Sequence, residues 1–265
     1  MKKLNYIFVG GKRLGYETLN FLIKKNFKPL CVVPNKDDNG LDNIFNKSLV
    51  KLAKRKKIKI VKLKSLPNFL KSCPKLIIES LDVIFCLGST LILPKDIIKV
   101  PKIGTLNIHP SLLPKYRGRY SLVHAIYEGE KYSGLTSHWI GKEIDLGEII
   151  SQKKIKIMDD DTGGSLYKKF TDNAIIEFKK IFIKIIKGKK IKTHELIKRA
   201  PKYKNKHFPN NGQLNWLWDG KKIYNFLRAM IHEPFPPPEI KVGSKSYYLV
   251  SKNLILKKSL IKSPK

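Results

Sequence analysis

The feature that most constrains this fold is an alternation of short apolar runs with helix-like segments early in the chain. Tyr6–Val9, Pro29–Val33, Ile58–Val61 and Asp82–Leu87 are short and rich in β-branched or aromatic residues, and read as buried strands. Tyr16–Lys25, Asn46–Lys56, Leu66–Ser72, Pro74–Ser80 and Lys95–Lys99 read as the helices between and after them. Such alternation predicts an α/β chain with a doubly wound, mostly parallel sheet. Ligands of these sheets bind outside the carboxyl ends of the strands, so the loops after each run are where chemistry belongs.

One strand end stands out: Asn107-Ile108-His109-Pro110-Ser111-Leu112-Leu113-Pro114-Lys115-Tyr116-Arg117-Gly118-Arg119-Tyr120. Asn107 and His109 are two apart, so both point to one side of an extended chain. Pro110 and Pro114 have a fixed φ, and each pushes the residue before it to extended geometry. An amide and an imidazole are thus held side by side on a stiff segment, which suits acyl transfer. The imidazole takes a proton from a nucleophile, and the amide NH2 donates to an oxygen turning negative. A carboxylate, Asp145, follows in Gly141-Lys142-Glu143-Ile144-Asp145-Leu146-Gly147, between expected strands Leu135–Ile140 and Glu148–Ile157. It is placed to orient His109 or a water.

These parts, in this order, resemble the folate-dependent N-formyltransferases, whose signature is Asn-x-His, then Ser-Leu-Leu-Pro and Arg-Gly, then a later Asp-x-Gly. The resemblance runs from Met1 to about Ile185 and thinly through Tyr224–Pro236. It implies a Rossmann-like formyltransferase fold, Asn107, His109 and Asp145 as catalytic residues, and N10-formyltetrahydrofolate as co-substrate. It also implies a folate pocket lined by Ser89, Leu91, Ile92, Ile140, Gly141 and Asp145. Ordinary core packing is the competing reading of Leu91–Leu93.

Among the family's acceptors, the residues divide. An aromatic residue after Arg119, at Tyr120, is similar to nucleotide-sugar N-formyltransferases, which act on amino sugars bound for surface polysaccharide. A methionyl-tRNA formyltransferase usually carries a larger carboxy-terminal barrel than this tail. A nucleotide-linked amino sugar is therefore the expected acceptor, with Lys12, Arg13, Arg119 and Tyr120 as its candidate contacts. Met-tRNA is the alternative. In the sugar enzymes the tail often helps form a homodimer, which is expected here too. Formyl-folate hydrolysis is disfavoured because the first strand begins at Tyr6, with no regulatory domain before it.

The Gly10-Gly11-Lys12-Arg13-Leu14-Gly15 turn has backbone N–H groups that attract phosphate, yet an ordinary strand-to-helix turn explains it equally well. Its spacing is not that of a dinucleotide-binding loop. Farther on, Leu122–Glu128 reads as a helix, Ser133–Ile140 as a strand, and Thr162–Lys187 as a long amphipathic helix capped by Asp161 or Thr162. Residues 1–190 are expected to form the catalytic domain. Residues 191–265 are expected to be a linker and a small subdomain, with a helix at Ile223–Ile231 and a hairpin of Ile240–Val242 and Tyr247–Val250.

The 54 Lys and Arg against 21 Asp and Glu give a formal net charge of +33. A nucleic-acid partner is one explanation. Compositional bias is the other and the preferred one, because lysine is spread along the whole chain and arginine is scarce. Cys31, Cys73 and Cys86 have no metal-ligand spacing, and no metal is expected. The cysteine usage and an opening that leads straight into a strand point to a reducing, cytoplasmic setting. No apolar run reaches the roughly 18 residues of a membrane helix. Of the six histidines only His109 lies in a signature; His124, His138, His194, His207 and His232 are read as structural.

Overall fold

The computed structural model describes residues 4–43, 46–141, 143–195, 207–233, 235–251 and 254–257. Part of the expected linker, Lys142 of the Asp145 segment and Pro234 lie outside the described residues. The chain divides into two compact units with interleaved segments. The first takes Met1–His109, Thr136–Gln152 and Thr171–Ile197; the second takes Pro110–Leu135, Lys153–Phe170 and Lys198–Lys265.

The first unit is built on β1 (Tyr6–Gly10), β2 (Cys31–Pro34), β3 (Val83–Leu87) and β4 (Gly104–His109), all parallel in the order β2-β1-β3-β4. Helices α1 (Lys12–Lys24), α2 (Leu49–Arg55), α3 (Leu66–Ser72), α4 (Lys75–Glu79) and α5 (Lys95–Ile98) make the crossovers. β5 (Tyr132–Trp139) joins β4 antiparallel, and β6 (Ile149–Lys156) follows it to complete six strands. β1 and β3 are buried at every position, as strands covered on both faces must be. The mostly parallel α/β sheet expected from the alternation is present.

Two expectations need correction. Ile58–Val61 is not a strand; it makes a single parallel bridge, Val32 to Ile60, because β2 offers only a short edge and Lys57 turns at φ 52°. The first helix starts at Lys12 rather than Tyr16 and so contains Gly15. A Cβ on Gly15 would lie 2.8 Å from the carbonyl oxygen of Leu87, so the small residue lets α1 sit close to the end of β3. Sequence reading took that glycine for a turn.

The long helix α7 (Gly163–Ile186) begins where expected, and Thr162 Oγ1 accepts from Ser165 N at 3.1 Å. Within the first unit its Phe178 meets Phe85 edge-on at 5.1 Å, and Phe182 meets Phe27 at 5.1 Å and Phe21 at 5.8 Å. Phe178, Phe182 and Phe85 are essentially buried. This aromatic layer holds the helix to the sheet.

In the second unit, α6 (Ser121–Tyr127) packs on α8 (Gly220–Met230). Buried Arg228 donates to Asn225 Oδ1 at 2.9 and 3.0 Å and to the carbonyls of Met158 and Asp161, each at 3.0 Å. A buried guanidinium engaged at all three nitrogens is tolerable where an unpaired one is not. The expected hairpin is β7 (Glu239–Val242) and β8 (Lys245–Ser251), joined at Gly243 with φ 58°. A third strand, β9 (Leu254–Lys257), adds to β8 and was not foreseen. Among the described residues no helix is long and apolar enough to cross a membrane.

The aromatic layer generates a test. Phe178→Ala leaves a cavity on α7 with no neighbour free to fill it. It should lower the unfolding free energy by about 3–5 kcal/mol in urea titrations, against a smaller loss for half-buried Phe21→Ala.

Candidate active site

Asn107 and His109 share one face of β4, and the register with β5 decides what they meet. Residues opposite each other in an antiparallel pair share a face, so His138 stands beside Asn107 and Thr136 beside His109. Asn107 Nδ2 lies 3.1 Å from His138 Nε2, and His138 Nδ1 lies 3.1 Å from the carbonyl oxygen of Trp139. A carbonyl only accepts, so Nδ1 carries the proton and donates it. Nε2 is then the acceptor for an amide N–H of Asn107. Burial pulls the His138 pKa from 6.5 down to about 4; Asp145 opposes this, and His109 adds to it. The ring is neutral near pH 7, as the two hydrogen bonds require. The amide is thereby fixed, with one N–H on His138.

His109 is 4% exposed, and its Nδ1 is 3.5 Å from Asp145 Oδ1. That is long for a hydrogen bond, and it sets the carboxylate directly behind the imidazole. Asp145 has φ 52°, in the left-handed region. The loop that carries it is framed by two glycines with no room for a side chain. A Cβ would lie 2.2 Å from the Leu146 carbonyl oxygen at Gly141, and 1.7 Å from that of Trp139 at Gly147. The loop therefore folds hard against the end of β5 and turns Asp145 back toward His109.

Beside them, the loop after β3 carries Ser89, Leu91 and Ile92. Ser89 Oγ accepts from Leu91 N at 3.0 Å and is also hydrogen-bonded to the Cys86 thiol, whose pKa burial pushes up to about 12. Cys86 is thus a neutral packing residue, and it pairs with Asn107 across β3 and β4. Leu91 and Ile140 pack on one apolar cluster with Cys86 and Leu93, while Ile92 and Ile144 are 71% and 54% exposed. Gly141 follows Ile140 directly.

The remaining expected contacts are placed differently. Arg13 is 2.6 Å from Asp172 in a surface ion pair, and Lys12 is half-buried at the start of α1 with φ 55°. Arg119 and Tyr120 belong to the second unit. There Tyr120 stacks on Phe208 at 4.0 Å, meets Phe235 at 5.4 Å, and has the Arg119 guanidinium 5.2 Å from its ring. His124 Nε2 is 3.0 Å from the His207 carbonyl oxygen and its pKa is lowered by burial, so it is a satisfied structural residue. Among the described residues no group of His, Cys, Asp and Glu is arranged to hold a metal ion. Sequence reading missed His138. Strand alternation put it on a face, but only the register shows which residue shares that face.

A sequence profile described as formyl transferase matches residues 5–181. The chain is 38% identical over 248 residues to the bifunctional polymyxin resistance protein ArnA of Wigglesworthia glossinidia brevipalpis, covering 94% of this chain and 36% of that protein. It is 31% identical over 170 residues to the GDP-perosamine N-formyltransferase of Brucella melitensis, covering 64% of each. It is 33% identical over 230 residues to the methionyl-tRNA formyltransferase of Thermodesulfovibrio yellowstonii, covering 84% of this chain and 72% of that one. The chain thus spans 36% of the first of these relatives and 64% of the second. In fold it is similar to an N-formyltransferase from Helicobacter canadensis solved with folinic acid and dTDP-3-aminofucose. The TM-score is 0.75 at 24% identity, with 92% of this chain and 86% of that one covered. The profile spans more than half of the chain, which carries its Asn-x-His at the end of β4, and the protein belongs to the formyl transferase family.

Proposed function

We propose that the protein transfers a formyl group from N10-formyltetrahydrofolate to the amino group of a nucleotide-linked amino sugar. The observation that carries this is the fixed pair of donors at the end of β4: an amide held by His138, and an imidazole beside a carboxylate. Ser89, Leu91, Ile92, Ile140, Gly141 and Asp145 would hold the folate, which supplies the activated formyl carbon when bound. Asn107 and protonated His109 suit negative charge developing on a carbonyl oxygen. Neutral His109 suits proton removal from an attacking amine, and Asp145 stabilises the cation that results. In the first unit Lys12 is a candidate contact for the acceptor's phosphates; in the second, Arg119 offers charge and Tyr120 a flat ring to a base or sugar. Relatives named for amino-sugar formylation support this acceptor.

Methionyl-tRNA is the second reading, favoured by the relative of that name and by the +33 charge. The assay that separates the two offers formyl-folate with a panel of nucleotide-linked amino sugars and with Met-tRNA, read by mass spectrometry. We expect a sugar to gain one formyl group. Formylation of Met-tRNA alone would replace the first reading with the second, and no formylation of either would overturn both.

Within that assay, Asn107→Ala and His109→Ala should each lower kcat by about 100-fold or more, the scale of losing one oxyanion donor. Asp145→Asn should fold normally and be nearly inactive; rates near wild type in these proteins would remove the residues from the chemistry.

His138 has a separate signature. Its folded pKa is about 4 against 6.5 unfolded, so the unfolded chain binds more protons in that window. The stability it contributes is fully present above pH 6.5 and is lost as pH falls toward 4. His138→Phe should flatten that pH dependence in denaturant titrations. It should also cut kcat by about tenfold, because Asn107 loses its partner.

A further inference from the structure

Asn35 is a buried polar side chain that the mechanism leaves unused, and it is bonded to the loop that carries Ser89, Leu91 and Ile92. It follows β2 directly and is 4% exposed. Its backbone N–H donates to the Gly10 carbonyl at 2.9 Å. Its side chain reaches across to the loop after β3. There Nδ2 donates to the Gly88 carbonyl at 3.0 Å, and Oδ1 accepts from Thr90 N at 2.9 Å. One amide thus satisfies a donor and an acceptor of a neighbouring backbone, as another strand would. The fit depends on Gly11, where a Cβ would lie 2.7 Å from Asn35 Nδ2. Gly88 itself has φ 61°, and a Cβ there would lie 2.3 Å from the Gly11 carbonyl oxygen. The turns after β1, β2 and β3 are therefore locked together through one side chain.

We infer that Asn35 is the positioning residue for the folate-binding loop: it sets the backbone path of Gly88–Thr90, and so where Ser89, Leu91 and Ile92 present themselves to the co-substrate. The inference rests on the formyl-folate reading above. Asn35 touches no reacting group on this view. Its loss acts on the affinity for folate and leaves the Asn107, His109 and Asp145 geometry in place. Asn35→Asp is the informative change, being of the same shape. It keeps the acceptor for Thr90 N and replaces the donor to the Gly88 carbonyl with a second oxygen, so a bond becomes a repulsion. Losing a buried hydrogen bond of this kind is worth roughly a tenfold change in an equilibrium constant.

The test is calorimetric titration of the purified full chain with folinic acid, a stable formyl-folate, alongside KM and kcat in the transfer assay. Wild-type protein that binds no folinic acid would overturn the formyl-folate reading itself. If wild type binds, Asn35→Asp should bind about tenfold more weakly. Its KM for formyl-folate should rise by a similar factor, with kcat and the acceptor KM within about threefold of wild type. Gly11→Ala, which crowds the amide from the other side, should mimic Asn35→Asp. Unchanged folate affinity in Asn35→Asp would overturn the inference. So would a kcat loss with KM unchanged, or a variant that fails to fold at 25 °C, which would make Asn35 a requirement of the fold.

Discussion

One register holds the site together. β5 runs antiparallel to β4 with His138 opposite Asn107 and Thr136 opposite His109. A slip of one residue would carry His138 to the other face, since side chains alternate along a strand. The amide of Asn107 would then have no buried acceptor to orient it. The bond between Asn107 Nδ2 and His138 Nε2 is therefore a product of strand pairing before it is a feature of catalysis. What secures the register lies at the edges of the pair. Leu106 and Ile108 fill the core from β4, and the glycine-framed loop after Trp139 fits only one way against the strand end.

The other constraint is how near the chain turns approach one another. Order β2-β1-β3 means that the chain leaves β1 in one direction and reaches β3 in the other, which opens a crevice at their carboxyl ends. Here the crevice is closed down by backbone on backbone. Gly11 N donates to the Leu87 carbonyl at 3.3 Å, and Gly88 has no space for a side chain. That closeness brings Asn35 within reach of the loop after β3.

Much of this was legible before any coordinates. The strand–helix alternation gave the sheet, because a strand buried on both faces has to be a continuous apolar run and β1 and β3 are such runs. Asn107 and His109 were legible because an i, i+2 pair on an extended chain has one geometry. His138 and Asn35 were not, since each acts on residues distant in sequence, through register in one case and loop contact in the other. Ile58–Val61 had the composition of a strand but only a short edge to pair with. The charge was legible only in part. Lys153, Lys154 and Lys156 are exposed on β6, the outermost strand, where lysine discourages pairing with another sheet. Some of the basic excess thus has a structural use that needs no polyanionic partner.

The two histidines on this face differ in what stands behind them, and that difference divides their roles. His138 has a carbonyl behind it, which fixes a tautomer but does little for a positive ring. His109 has a carboxylate behind it at 3.5 Å. A charge on His109 makes a charge on His138 harder to form, as the direction of its effect on His138 shows. The coupling runs both ways, so a His138 that stays neutral spares His109 a neighbouring positive charge. Burial does the work of keeping it neutral. The same burial that lets His138 hold Asn107 in one orientation therefore keeps a second positive charge away from the face that His109 shares with Asp145.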